Sequence, residues 1–210
     1  MNKNPQEIEA KFYLKDLPRL EKMLQTLGAE LVHPRVHEIN LRFDTPEGIL
    51  RSTGRVLRLR RDSTSHLTFK GTPEPSDQVS IRREIEFEVS DFDTARSFLE
   101  MLGYHVVVWY EKHRTTYLLA GVLVTLDELP YGNFCELEGM SAPAIQKAAK
   151  LLKLDWDARC TESYLALFDH LRAGRNLSVQ NLSFEELSGM TFKPEELGVR
   201  PADHSTTSQP

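Results

Sequence analysis

Cysteine is scarce in this 210-residue chain, which has only Cys135 and Cys160. Neither stands in a CxxC pair or beside a histidine at metal-ligand spacing, which argues against a disulfide framework and a zinc site. Long apolar runs are also missing. None approaches the roughly 18 residues that a membrane-crossing helix needs, so no membrane is expected as a partner. Met1 to Gln6 is polar and lacks the apolar stretch of a secretory signal, which makes the cytoplasm the expected location. Positive charge is not in surplus. Lys and Arg number 26 against 31 Asp and Glu, for a net charge of −5, and no binding of DNA is expected from bulk electrostatics. GxxxxGK[ST], GxGxxG and HExxH do not occur. No internal repeat interrupts the chain.

What is present is a normal core allowance, with 40% hydrophobic and 27% charged residues. Glu7 to Tyr13 alternates charged and apolar residues and reads as a strand. Asp16 caps an expected helix carrying Leu17, Leu20, Leu24 and Leu27, which Gly28 ends. Leu31 to Phe43 reads as extended. Val56 to Arg61 and His66 to Lys70 read as a hairpin, and Ile81 to Val89 as a strand. Asp91 opens a second helix with Phe92, Ala95, Leu99 and Leu102 on one face, and Met101 reads as core. Tyr104 to Leu119, Val122 to Leu129 and Phe134 to Gly139 read as further strands. Ser141 opens a third helix, and a fourth is expected over Cys160 to Leu171. Phe184 to Leu187 suggests a short helical turn, and Ala202 to Pro210 reads as disordered. The class is α+β, with about eight mostly antiparallel strands and helices outside.

The polar face of these strands is unusual. It carries charge at every second position: Glu7, Glu9 and Lys11, then Glu38, Asn40 and Arg42, then Arg58 and Arg60, then Thr68 and Lys70. Arg82, Glu84, Glu86 and Glu88 follow, then Lys112 and Arg114, Thr125 and Asp127, and finally Glu136 and Glu138. Exposed strand faces favour Thr, Ser and scattered Lys over stacks of carboxylates and guanidiniums. The helices need an apolar surface, and the opposite strand face supplies one. A sheet turned that way directs its charges inward and, when closed, encloses a polar tunnel. Charges of both signs in such a place need partners. A polyanion with divalent cations supplies both, because Arg and Lys bind phosphate oxygens and carboxylates hold Mg²⁺ or Mn²⁺.

The run Glu7-Ile8-Glu9-Ala10-Lys11 resembles the ExExK signature of the CYTH superfamily, the triphosphate tunnel metalloenzymes. Arg58-Leu59-Arg60, Thr68-Phe69-Lys70, Arg83-Glu84-Ile85-Glu86 and Lys112-His113-Arg114 resemble the family's later basic and mixed strands, in order. Asp127 and Glu136-Leu137-Glu138 resemble its late acidic positions, and Ser163-Tyr164 also fits. The resemblance implies a closed eight-stranded antiparallel β-barrel with a charged interior over residues 1–175, followed by a partly disordered extension over 176–210. It implies Mg²⁺ or Mn²⁺ as cofactor and a triphosphate-containing small molecule as partner: triphosphate, ATP or thiamine triphosphate. By matched position, Lys11, Arg58, Arg60, Lys70, Lys112 and Arg114 are phosphate ligands, together with Arg82 or Arg83. Glu7, Glu9 and Glu138 are metal ligands, with Glu84, Glu86, Asp127 and Glu136 nearby. Strand parity turns Arg82 inward, whereas the motif match favours Arg83; a bulge would reconcile the two. The family includes triphosphatases and class IV adenylyl cyclases and often forms dimers, so a homodimer is expected. Hydrolysis is placed ahead of cyclisation. A non-catalytic polyphosphate-binding module and a structural β-sandwich with a solvated charged face are the competing readings.

Overall fold

The computed structural model describes residues 6–203. Alternating sequence becomes strand and amphipathic sequence becomes helix, in the order the pattern predicts. Strand β1 spans Gln6–Leu14 and helix α1 Leu17–Thr26. The Asp16 side chain accepts from the Arg19 N–H at 3.0 Å, which satisfies one free donor of the first turn. Strand β2 (Glu30–Asp44) leads to a four-residue helix α2 (Ile49–Ser52) and the hairpin β3 (Val56–Arg61) and β4 (Ser65–Lys70). Strand β5 (Ser80–Glu88) precedes α3 (Phe92–Met101), capped by Asp91. Strands β6 (His105–Leu119), β7 (Val122–Leu129) and β8 (Gly132–Glu138) form a meander. Helix α4 (Ala142–Leu151), a two-residue strand β9 (Arg159–Cys160) and α5 (Tyr164–Arg175) follow.

The strands pair as β5-β4-β3-β2-β6-β7-β8-β1, and a further β5–β1 pairing joins the two ends. The result is the expected closed ring of eight antiparallel strands. The closing register sets Glu7 opposite Arg82 and Glu9 opposite Ser80. Beyond it, β9 continues along the same edge of β1, with Cys160 opposite Lys11. The β7–β8 turn passes so close to β1 that a Cβ on Gly132, at φ +150, would lie 2.7 Å from the Tyr13 ring. Only glycine fits there.

The outer face of the ring is apolar. Helices α1 and α4 cover Phe12, Leu14, Val124, Leu126 and Leu137, while α3 lies over Leu57 and Leu59 through Phe92 and Leu99. Met101, expected in the core, is 88% exposed at the end of α3. Its position falls off the stripe formed by Phe92 and Leu99. The third cluster is different in kind. Tyr13, Leu129 and Phe134 share strand parity with the inward-facing charges, and they pack on Tyr164, Leu167, Phe168 and Leu171 of α5. Helix α5 therefore plugs one end of the ring.

Two expectations about the C-terminal part need correction. Helix α5 begins at Tyr164 rather than Cys160, because the Ser163 hydroxyl caps it by accepting from Ala166 N–H. Residues 159–160 are drawn into pairing with β1 instead. The extension is also more structured than its polarity suggests. Leu182 exchanges backbone hydrogen bonds with β6, donating to Trp109 O at 3.2 Å and accepting from Glu111 N–H at 3.1 Å. It fills a stretch of the β6 edge that β7, which pairs only from His113 onward, leaves open. Leu182, Leu187 and Leu197 are buried against α5. Ala202, read from sequence as the start of a disordered tail, is buried and donates its N–H to Tyr13 O at 2.9 Å. The remainder of that tail, residues 204–210, lies outside the described residues.

Candidate functional site

Inside the ring lies a cavity of about 460 Å³. Its wall is built from alternate positions on the strands, as the pleat dictates. Glu7, Glu9 and Lys11 come from β1, Arg58 and Arg60 from β3, Lys70 from β4, and Arg82, Glu84 and Glu86 from β5. Lys112 and Arg114 of β6 and Glu136 and Glu138 of β8 complete the set. Fifteen strand positions named from sequence parity and motif thus divide cleanly, and two of them do not belong to the wall.

The first is Arg83. Pairing of β5 runs without a register shift, with Arg82 opposite Glu7 and Glu84 opposite Lys70. No bulge intervenes, so parity prevails over the motif match and Arg83 points outward to an exposed position. The second is Asp127. It has the inward parity but lies behind the cavity, at 0% exposure, where α5 closes the ring. Its carboxylate accepts from Lys112 Nζ at 3.0 Å, from Arg114 Nε at 2.6 Å and from the Tyr164 hydroxyl at 2.7 Å. Its oxygens are spent on these donors rather than available to a metal ion. Asp127 holds the Lys112-x-Arg114 pair in place.

Charge is distributed unevenly along the cavity. At the end away from α5, Glu7, Glu9, Glu84 and Glu138 converge around one cation, Lys70, which bonds to Glu7 and lies 3.3 Å from Glu84. Glu9 stands directly opposite Glu138 in the β1–β8 register. Desolvation raises the carboxyls of Glu7 and Glu9 above their ordinary range, and neighbouring carboxylates add to the rise. Glu138 is at the rim and open to water on one side. Desolvation on the other, together with Glu7, Glu84 and Glu9, pushes it up to about 7. Glu7 Oε2 is buried without a hydrogen-bond partner. This is the environment of a cation site short of positive charge. Among the described residues no three acidic, His or Cys side chains stand as a ready-made ligand set; Lys70 draws Glu7 and Glu84 to itself.

Deeper in, the charges pair. Lys11 Nζ lies 3.2 Å from Glu136 and donates to Glu162 O at 3.1 Å, above the Tyr164 ring. Arg114 bonds to Glu136 as well as Asp127. Arg60 lies 3.2 Å from Glu86, and Thr68 donates to Glu86 at 2.6 Å. Burial alone would raise the Glu38 carboxyl, but Lys112, Arg114, Arg58 and Arg60 outweigh it and hold Glu38 far below the carboxylate range. Burial alone would likewise lower Lys11, yet Glu136 and Glu9 keep its ammonium well above the ordinary lysine value.

A family model described as the CYTH domain matches residues 5–160. The chain belongs to the CYTH family. Adenylate cyclase CyaB of Aeromonas hydrophila is 31% identical over 138 residues, which make up 64% of this chain and 69% of that protein. Among solved structures, a candidate adenylate cyclase from Vibrio parahaemolyticus superposes with a TM-score of 0.72 at 23% identity, covering 80% of this chain and 99% of the other. HpAC1 from Hippeastrum, an adenylyl cyclase candidate described as having a dominant triphosphatase activity, superposes at 0.60 with 22% identity, covering 78% and 95%. These two likenesses are of fold.

The CYTH match ends at residue 160, before α5 and the extension that plug and brace the ring. Sequence reasoning noted Arg42 on the charged face without assigning it a role, and passed over Tyr110, though both line the cavity. The parity that picked out Lys112 and Arg114 also selects Tyr110, but a tyrosine that ends the apolar run Val106-Val107-Val108-Trp109 reads as core. Arg51 and Arg55, which line the cavity's basic end, come from α2 and the loop after it. No periodicity marks them.

Proposed function

We propose that this CYTH protein binds a triphosphate-containing small molecule in the ring and, with Mg²⁺ or Mn²⁺, hydrolyses it to a diphosphate and phosphate. The observation that carries this reading is the division of one cavity into a carboxylate-rich end short of positive charge and a basic remainder. A metal polyphosphate has the complementary distribution.

Lys11, Arg58, Arg60, Lys70, Arg82, Lys112 and Arg114 would hold phosphate oxygens. Arg forks bind them in pairs and Lys acts as a point charge. Lys11, Arg58 and Arg114 are held in their charged forms, Lys11 and Arg114 by the carboxylates beside them and Arg58 by the Tyr110 phenol together with Glu38 and Glu86. They would neutralise charge that develops on the departing diphosphate without first having to reorient. Glu7, Glu9 and Glu138 would hold the cation, with Glu84 and Glu86 beside them and Glu136 bound to Lys11 and Arg114. The cation, when bound, supplies further neutralisation of the phosphate oxygens.

Hydrolysis of inorganic triphosphate is favoured by the lining. Apart from Val56, Leu165 and two tyrosines, the wall offers little apolar surface against which an adenine could lie. The description of HpAC1 agrees with it. Cyclisation of ATP is the second reading, favoured by the likeness to CyaB. Incubation with inorganic triphosphate, ATP and thiamine triphosphate in Mg²⁺ or Mn²⁺ separates the two. Phosphate release from inorganic triphosphate is expected; cyclic AMP as the main product from ATP would establish the second reading, and turnover of none would leave a binding module.

A further inference from the structure

A cluster of titratable side chains lies outside the ring, where the extension crosses the β6 edge. His37 of β2 and His113 of β6 stand opposite each other in register, on the outward parity. Their ring centroids are 5.1 Å apart, and the His113 ring also packs on Phe184 of the extension, at 5.2 Å. Glu111 joins the three. One of its carboxylate oxygens lies 2.6 Å from His37 Nε2, and the other accepts from the Phe184 N–H at 2.8 Å. The same stretch of the extension carries Leu182, whose backbone bonds to Trp109 and Glu111 fasten it to β6.

This cluster has no room for a further proton. His113 Nδ1 is buried and has no hydrogen-bond partner. The charged and titratable groups that face its ring are Arg35 and His37 on β2, Glu111 on β6 and Glu128 on β7. Both oxygens of Glu111 are occupied. Those of Glu128, opposite His113 in the β6–β7 register, are held by the Arg35 guanidinium at 2.7 and 3.1 Å. Glu186 of the extension is turned to the N–H groups of Gln180 and Asn181. A proton on His113 thus finds no free acceptor and sits close to the Arg35 charge. Burial, Arg35 and His37 hold the His113 imidazole below its ordinary value, against the opposing pull of Glu128 and Glu111.

We propose that His113 is a proton-operated latch for the extension: neutral, it packs on His37 and Phe184 and keeps residues 182–184 on the β6 edge; protonated, it releases them. The latch does not depend on the triphosphate reading, and it places a point of regulation outside the ring. Release uncovers the β6 backbone beside Tyr110, whose side chain lines the cavity, and withdraws Leu182 from its packing against α5. The fastened state binds the proton less tightly than the released one. The latch is therefore closed above the ordinary imidazole value of 6.5 and opens as pH falls below it.

The test is amide hydrogen exchange of the full chain, read by mass spectrometry at about pH 7.5 and about pH 5.5 and expressed as protection relative to the unstructured chain at each pH. Protection of residues 182–184 is expected to fall about fivefold or more on acidification, within the limit of about tenfold for each pH unit by which the two titrations differ. Ala202, whose N–H bonds to Tyr13 O at the far end of the extension, should keep its protection. That separates local release from general unfolding. His113→Phe keeps a ring stacked on Phe184 but cannot take a proton, so residues 182–184 should be equally protected at both pH values. His113→Gln, also uncharged, should show the same indifference to pH from a lower starting protection. Wild-type protection that does not change with pH, acid release that persists in either variant, or an equal loss at Ala202 would overturn the latch.

Discussion

Lys112 and Asp127 form an ion pair of 3.0 Å behind the cavity wall, at side-chain exposures of 2% and 0%. Arg114 and the Tyr164 hydroxyl share the same carboxylate, so one residue of β7 fixes two cations of the wall and ties α5 to the ring. Breaking a buried pair by removing one partner leaves an uncompensated charge and costs about 3–5 kcal/mol. Asp127→Asn should therefore lower stability by about that amount in urea unfolding. Unchanged unfolding with a selective loss of divalent-cation affinity would return Asp127 to the role of metal ligand.

The continuous pairing of β5 separates Arg82 from Arg83. Arg82→Ala should raise KM for inorganic triphosphate by about tenfold or more, the value of a charge-assisted hydrogen bond. Arg83→Ala, on the outer face, should stay within about twofold of the wild type. Steady-state kinetics of the pair checks both, and the reverse ranking would require a bulge that the register does not contain.

The acidic end predicts a pH dependence. The carboxyl of Glu138 is raised from 4.5 to about 7 in the folded protein. The folded state thus holds this proton more tightly than the unfolded chain. Its contribution to stability is fully present below about pH 4.5 and is lost as pH rises through about 7. In metal-free protein Glu138→Gln should flatten this part of the melting curve against pH. Mn²⁺ should raise the melting temperature more at about pH 8 than at about pH 5, because protonation competes with the cation. An equal Mn²⁺ effect at both values would argue against a carboxylate site.

The extension supports the ring beside Tyr110. Leu182 is fully buried and its backbone bonds with Trp109 and Glu111. Leu182→Ala should cost about 2–5 kcal/mol, the range for a buried leucine, read from chemical denaturation. A change within about 0.5 kcal/mol, typical of surface substitutions, would show the segment to be loosely attached.

Much of this fold was legible because the period-two charge pattern and the capping residues Asp16, Asp91 and Ser141 act locally. Parity told which face a side chain takes, and it was right for Arg82 against a motif. It does not report depth: Asp127 faces inward but is covered by α5, and that burial depends on a tertiary contact. Tyr110 was hidden for the same reason, since an inward tyrosine and a core tyrosine look alike in sequence. Helix α2, at four residues, is too short to show a period, so Arg51 was invisible. The polar extension conceals six buried residues, Leu182, Ser183, Leu187, Pro194, Leu197 and Ala202, spaced too irregularly to suggest an element.

The central claim is that one cavity grips phosphates with its cations and a divalent ion with its carboxylates. The most direct measurement is phosphate release from inorganic triphosphate against Mn²⁺ concentration, for wild type, Lys70→Ala and Glu9→Ala. The expected result is turnover by the wild type that depends on the metal and is largely lost in both variants, with folding preserved by circular dichroism. Full activity in both variants, or turnover indifferent to divalent cation, would contradict it.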